Sequence, residues 1–445
     1  MSGFRLPGRR PTGLTAIVLV ASLLFLCHPA SAQQHSGEIS TAEPEEVGLS
    51  GERLERVTRL ARRNVEEDRL AGSVVLLARE GRVAYLEALG MQDREAGIAM
   101  TENTIFRIAS MTKPITSVAV MMLYEEGHFR LGDPVSEYIP AFDSVRVLAN
   151  SADASAEDPA TVPAERPITI RHLLTHTSGL VYEWHPELGE TYAEAGIMSG
   201  LVEDEQTLAE DIPKLAGLPL LHQPGETWTY GMSVDVLGRL VEVVSGRPLD
   251  EFFRERIFVP LGMDDTQFHV TPEQESRLAA AYTVGPDGDL ERIEGEQMET
   301  QGTAAYTYSA SYPTREDHRF LSGGAGLTST VPDYYRFARM LLNRGALDGE
   351  RLLSPKSVEL MTTDHVGTRL DDQGFGLGFG ITRDLAERGE LGSEGTFYWG
   401  SFWYGTFFVD PEEEMIGIML AQKHPAGAAT LSEKFDILAR QAIVE

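Results

Sequence analysis

The sequence predicts an α+β fold: an antiparallel sheet flanked by helices and built from both ends of the chain, with a mainly helical lobe inserted between. Three observations predict it. A helix-period segment and two apolar β-type runs open the chain after residue 45, strand-like runs return after residue 374, and the stretch between them carries helical periodicity. The sheet lobe is expected over about 45–115 plus 320–445 and the helical lobe over about 116–319, with a cleft between them as the natural site.

Residues 1–32 stand apart. Arg5, Arg9 and Arg10 precede the apolar run Leu14 to Cys27, and the small residues Ala30-Ser31-Ala32 follow, the pattern of a secretory signal cut before Gln33. Residues 33–445 then form the folded part, which is expected in a periplasm or outside the cell. Leu24-Phe25-Leu26 are too bulky for a lipoprotein cleavage site at Cys27.

Along that part, Ser50 caps a helix whose apolar positions Leu54, Val57, Leu60 and Ala61 recur at helical spacing. Runs Ser73 to Ala78 and Val83 to Leu89 flank Arg79-Glu80-Gly81-Arg82 and read as a hairpin. Helical patterns cover Ile168 to His176, Val234 to Ser245 and Pro248 to Val259. Three polar inserts, Ala149 to Pro167, Tyr182 to Asp211 and Val284 to His318, read as surface loops or lids, and residues of the second or third are candidates to line a pocket. Strands are expected at Gly374 to Ile381, Phe402 to Val409 and Met415 to Ala421, the last two joined by Asp410-Pro411-Glu412-Glu413, and a helix from Leu431 to Ile443 ends the chain.

Composition narrows the function. Cys27 is the sole cysteine, so the chain beyond the leader has no disulfide, thiol nucleophile or cysteine zinc site. With the three leader arginines removed, 35 basic residues face 68 acidic ones, a net charge of −33 that disfavours nucleic acid and anionic membranes as partners. Only five lysines occur, so a lysine at a special place is informative.

Such a lysine lies in FRIASMTKPITSVAVMMLYEEG, where Ser110 and Lys113 are three apart at the start of an apolar helix. A serine hydroxyl needs a base to attack a carbonyl, and the i+3 position places one a turn away. Burial favours the neutral form of a lysine, which can then accept the hydroxyl proton, and the helix start adds a positive potential. Ser110 reads equally as a helix cap from this stretch alone. Tyr230 precedes an amphipathic helix in PGETWTYGMSVDVLGRLVEVVSG, and a loop tyrosine facing a lysine can relay a proton to a leaving group.

These segments, with ITIRHLLTHTSGL, GGAGLTSTVPDYYRFARMLLN and YWGSFWYGTFFVDPEEEMIGIML, resemble in order the serine beta-lactamase-like hydrolases: class C beta-lactamases, DD-peptidases and the family VIII carboxylesterases. The resemblance spans about Val47 to Ala442. It implies the beta-lactamase/transpeptidase-like fold and an acyl-enzyme on Ser110, with Lys113 as base, Tyr230 as proton shuttle and no metal or organic cofactor. Trp399-Gly400-Ser401 matches the strand motif whose first residue is usually lysine or histidine; tryptophan there points to the esterase branch. The amide completing the oxyanion hole beside that of Ser110 belongs to Ser401 or Phe402. Met232 stands where the family usually has an asparagine that holds a substrate amide, which methionine cannot do.

The expected activity is therefore ester cleavage on a small-molecule ester or amide substrate, with beta-lactamase or DD-peptidase activity as the alternative. A catalytically silent binding or sensing protein on the same scaffold is the reading from another class. His172 and His176 lie four apart, as two metal ligands on a helix would, yet lack the glutamate of the His-Glu-x-x-His pattern. No Gly-x-Ser-x-Gly occurs, against an α/β-hydrolase. The glycines of Gly323-Gly324-Ala325-Gly326 are expected to allow a tight turn against the sheet, since no Gly-Lys-Ser/Thr follows.

Overall fold

A computed structural model describes Gly3 and residues 39–149, 159–197, 199–301, 304–315, 317–370 and 373–445. Apart from Gly3, the expected leader, with Cys27 and its cleavage site, lies outside the described residues, as does part of the first polar insert.

The central strands of the sheet are buried on both faces. β1 (Gly72–Arg79), β2 (Arg82–Asp93) and β3 (Ile98–Ala99) come from the amino-terminal side. β4 (Gly374–Phe375), β5 (Gly380–Ile381), β6 (Phe397–Ser401), β7 (Gly405–Asp410) and β8 (Met415–Leu420) come from the carboxy-terminal side. The order is β4-β5-β6-β7-β8-β1-β2-β3, with every neighbouring pair antiparallel. The two chain ends meet at β1 and β8, where Val74 faces Leu420 and Leu77 faces Gly417. Glu80 and Gly81, with φ of 53° and 73°, make the left-handed turn between β1 and β2 that suits the twist of a hairpin.

Because successive strand residues point to opposite faces, each face has its own core. Val75, Leu77, Phe408, Met415 and Met419 pack outward against α1 (Gly51–Glu66) and the carboxy-terminal helix Leu431–Arg440. Ser50 caps α1 as expected, accepting the Arg53 amide at 3.3 Å. On the other face Val74, Leu76, Phe407, Ile416 and Ile418 join a core containing α2 (Thr112–Glu125), α3 (Ser233–Ser245) and α4 (Val331–Leu342). α2 is buried from Thr112 to Leu123, so it is enclosed on all sides and lies between sheet and middle helices. The described residues from 39 to 445 form one compact unit.

Several elements differ from expectation. The helix expected over Ile168 to His176 is reduced to Ile170–Leu174, because Thr169 caps it and His176 adopts φ 52°. Gly374 to Ile381 is two short strands around a turn, with Gly378 at φ 95° where a Cβ would lie 2.1 Å from Ser117 Oγ. The strand expected from Phe402 starts at Gly405; Phe402-Trp403-Tyr404 turn the chain, with Tyr404 at φ 63°. The third insert, expected to be a surface loop or lid, contains the hairpin Glu296–Gln301 with Ala304–Ser309 and the strand Leu290–Arg292, which pairs with Tyr282–Val284 at the insert's start.

Candidate active site

Ser110 lies in a single 3-10 turn, Ala109–Met111, that feeds straight into α2. Its predecessor Ala109 is fully buried with φ 39°, a left-handed conformation that a residue with a Cβ adopts at a cost of about 1–3 kcal/mol. Surrounding groups hold the turn: Tyr334 Oη donates to the Met111 carbonyl at 3.0 Å, and Thr112 Oγ1 accepts the Leu327 amide at 3.2 Å.

The Ser110 hydroxyl oxygen receives two hydrogen bonds. Lys113 Nζ donates at 3.2 Å from one helical turn along, and Tyr230 Oη donates at 2.7 Å from across the cleft. Lys113 is 1% exposed, and its Nζ also donates to the Gly324 carbonyl at 2.8 Å and sits 4.7 Å from the centre of the Tyr230 ring. Three residues separated by up to 120 positions thus converge on one oxygen, the arrangement that a nucleophile, a base and a proton shuttle require. The helix-cap role is not the one Ser110 fills: Met111 is the residue at the α2 boundary, and no side-chain cap bond forms there.

Tyr230 is held by rings. His176 lies 4.9 Å from it, Trp399 5.6 Å, Tyr182 5.3 Å and Trp228 6.1 Å. His176 is fully buried, and burial, reinforced by the charge of Lys113, holds its imidazole well below the usual range. The neutral ring packs behind Tyr230, while His172 Nδ1 accepts the Thr169 amide at 3.2 Å.

Trp399, Gly400, Ser401 and Phe402 all line, with Ser110 and Tyr230, a cavity of about 490 Å³, within the size range of small-molecule sites. The second insert contributes Tyr182, Trp184, Ser199 and Leu201 to the same wall, with Tyr182 stacked on Trp184 at 4.3 Å. Composition marked that insert as polar surface, and the aromatic pair within it was the available signal. Glu183, between those rings, is buried, and burial raises its carboxyl to about 7. The third insert packs against residues of this wall: Tyr306 lies 5.3 Å from Trp184, and Glu299 pairs with His424 at 3.1 Å, whose ring stacks on Phe402 at 3.6 Å.

The glycine run 323–326 corrects an expectation. It turns beside α3 rather than serving the sheet, and its glycines permit close approach. A Cβ at Gly323 would meet the Val234 carbonyl at 2.8 Å, and one at Gly324 would meet the Asp235 carboxylate at 2.6 Å.

A family model described as Beta-lactamase matches residues 57–440. The chain is 34% identical over 351 residues to esterase EstB of Burkholderia gladioli, covering 78% of this chain and 84% of that one. It is 29% identical over 386 residues to the lovastatin esterase of Penicillium rubens, covering 80% and 89%. Among solved structures, EstCE1, described as a hydrolase with promiscuous acyltransferase activity, matches with TM-score 0.77 and 30% identity over 88% of this chain and 99% of that one. The Ser110 turn feeding a buried helix, a sheet made from both chain ends and a match over residues 57–440 lead to one assignment: this chain belongs to the Beta-lactamase family and is a serine hydrolase.

Proposed function

We propose that the protein is an exported hydrolase of carboxylic esters that works through an acyl-enzyme on Ser110. The observation that carries this reading is the pair of hydrogen bonds from Lys113 and Tyr230 to Ser110 Oγ on the wall of an aromatic-lined cavity. Lys113, with Tyr230, takes the hydroxyl proton as Ser110 attacks the ester carbonyl; Tyr230 returns a proton to the departing alkoxide, and water repeats the cycle on the acyl-enzyme. The amide of Ser110 is one oxyanion donor. Alternation along β6 supports Phe402 rather than Ser401 as the other: Thr396 O accepts from Thr382 on the β5 side, so Tyr398 and Gly400 follow on that side, whereas Ser401 pairs with Gly405 of β7, and the planar 401–402 peptide then turns the Phe402 amide away from β7.

Esters are favoured over lactams and peptides by the chemistry of the wall. Met232 is buried and offers no amide-binding group, Trp399 supplies an apolar surface, and the relatives EstB and lovastatin esterase are named as esterases. Turnover of p-nitrophenyl esters is compared with opening of nitrocefin and release of D-alanine; efficient lactam or peptide cleavage without ester cleavage refutes the ester reading. Fluorophosphonate labelling followed by mass spectrometry is expected to place the adduct on Ser110 and to vanish in Ser110→Ala. Absence of any adduct would favour a silent binding protein on this scaffold. Export rests on the leader pattern, and amino-terminal sequencing of the protein recovered outside the cytoplasm is expected to begin at Gln33.

A further inference from the structure

Asp235 is a carboxylate buried in the first turn of α3, 0% exposed. Among the described residues its Oδ2 has no hydrogen-bond partner. An ionisable group in such a place costs stability unless its neighbours use it. Its neighbours lead to the nucleophile. Asp235 Oδ1 accepts the Ser322 hydroxyl at 2.5 Å and the Gly324 amide at 3.1 Å. The Ser322 Oγ in turn accepts the Ala325 amide at 2.9 Å. That amide belongs to the peptide unit whose carbonyl, Gly324 O, accepts Lys113 Nζ at 2.8 Å.

A trans peptide is planar, with its N–H and C=O pointing in opposite directions, so fixing one end aims the other. Ser322 holds the N–H end of the 324–325 peptide, Asp235 holds Ser322, and the preceding peptide is tied to the same Oδ1. From the other side Thr116, one turn after Lys113 on α2, donates to the Gly323 carbonyl at 2.7 Å. The absence of side chains at 323 and 324 lets the loop approach α3 closely enough for these bonds.

We propose that Asp235 is a positioning residue for the reaction: through Ser322 and the 324–325 peptide it aims the Gly324 carbonyl at Lys113 and so holds the amine on Ser110 Oγ. The inference rests on Lys113 acting as the base in the ester cleavage proposed above. Lys113 has two hydrogen-bond partners here, Ser110 and Gly324, and Met232 of the tyrosine loop has no polar atom with which to replace the second.

The test compares wild type, Asp235→Asn, Asp235→Leu and Ser322→Ala, with Lys113→Ala as control, by kcat and KM on a p-nitrophenyl ester and by the rate of fluorophosphonate attachment to Ser110. Asparagine keeps an acceptor at Oδ1 and is expected to stay within about threefold of wild type, whereas leucine, branched at the same carbon, bulkier and unable to accept, is expected to lower kcat on the order of 10-fold to 100-fold. KM should change less than about twofold, and attachment to Ser110 should slow in parallel with kcat. If Asp235→Leu does not fold, Ser322→Ala decides, with a smaller fall in kcat and in attachment rate expected. A loss confined to KM, or wild-type kcat and attachment rate in folded Asp235→Leu, would overturn the inference while leaving the ester reading intact. If Lys113→Ala kept full activity, the reading on which the inference rests would fail instead.

Discussion

Replacing Glu183 by glutamine is expected to stabilise the protein at alkaline pH and to do little at acid pH. Glu183 is 2% exposed, its Oε1 accepts the Ser199 amide at 3.2 Å, and among the described residues its Oε2 has no hydrogen-bond partner. Burial is the main cause that raises its carboxyl from 4.5 to about 7, opposed by its own backbone and by Ser199, with the nearby charge of Asp235 adding a smaller push. In the window between those values the unfolded chain has released the proton while the native protein still holds it. Stability is therefore lost as pH rises through that window. At 1.36 kcal/mol per pKa unit, the interval from 4.5 to about 7 corresponds to about 3 kcal/mol lost by pH 8. Glutamine keeps an acceptor for Ser199 and cannot ionise. Urea unfolding of both proteins at pH 5 and pH 8 should give similar stabilities at the lower pH and a variant more stable by up to about 3 kcal/mol at the higher. Asp333 and Asp204, raised by burial to about 7 and about 6, titrate in the same window in both proteins and cancel in the difference. An unchanged difference between the two pH values, or a variant less stable at pH 8, would refute the reasoning.

Three further outcomes are expected. Tyr230→Phe removes the donor 2.7 Å from Ser110 Oγ but keeps the ring among His176, Trp399 and Tyr182, so kcat/KM should fall on the order of 10²–10⁴-fold, with circular dichroism unchanged. Gly324→Ala places a Cβ 2.6 Å from Asp235 Oδ2; kcat should fall together with about 1–3 kcal/mol of stability in a denaturant titration. Leu77→Ala opens a void between β1 and α1 remote from Ser110, and should cost about 2–5 kcal/mol in urea while leaving the activity of the folded enzyme unchanged.

Much of the fold is legible because its signals are local. Ser50 before Leu54, Val57, Leu60 and Ala61 specifies α1 through one cap and one apolar stripe, and Glu80-Gly81 specifies the turn between β1 and β2 through the φ values glycine permits. The departures occur where a distant contact overrides a local pattern. Phe402, Trp403 and Tyr404 are apolar enough for a strand, yet Tyr404 takes a left-handed φ that side-chain chemistry does not announce. The third insert pairs into hairpins that bring Glu299 and Tyr306 to His424, a residue more than a hundred positions away.

For the site, the sequence by itself determines the spacing that puts Lys113 one helical turn from Ser110, the aromatic and glycine content of the segments around Tyr230 and Trp399, and the absence of cysteine chemistry beyond Cys27. Only the tertiary structure decides that Tyr230 Oη meets Ser110 Oγ at 2.7 Å, that Tyr182 and Trp184 wall the cavity, and that a buried Asp235 reaches Lys113 through a peptide. The physical reason is range. Helix periodicity and turn preference act over a few residues, whereas these contacts join segments far apart in the chain. They are set by how the two faces of the sheet bury their apolar residues and how closely glycine lets two backbones approach.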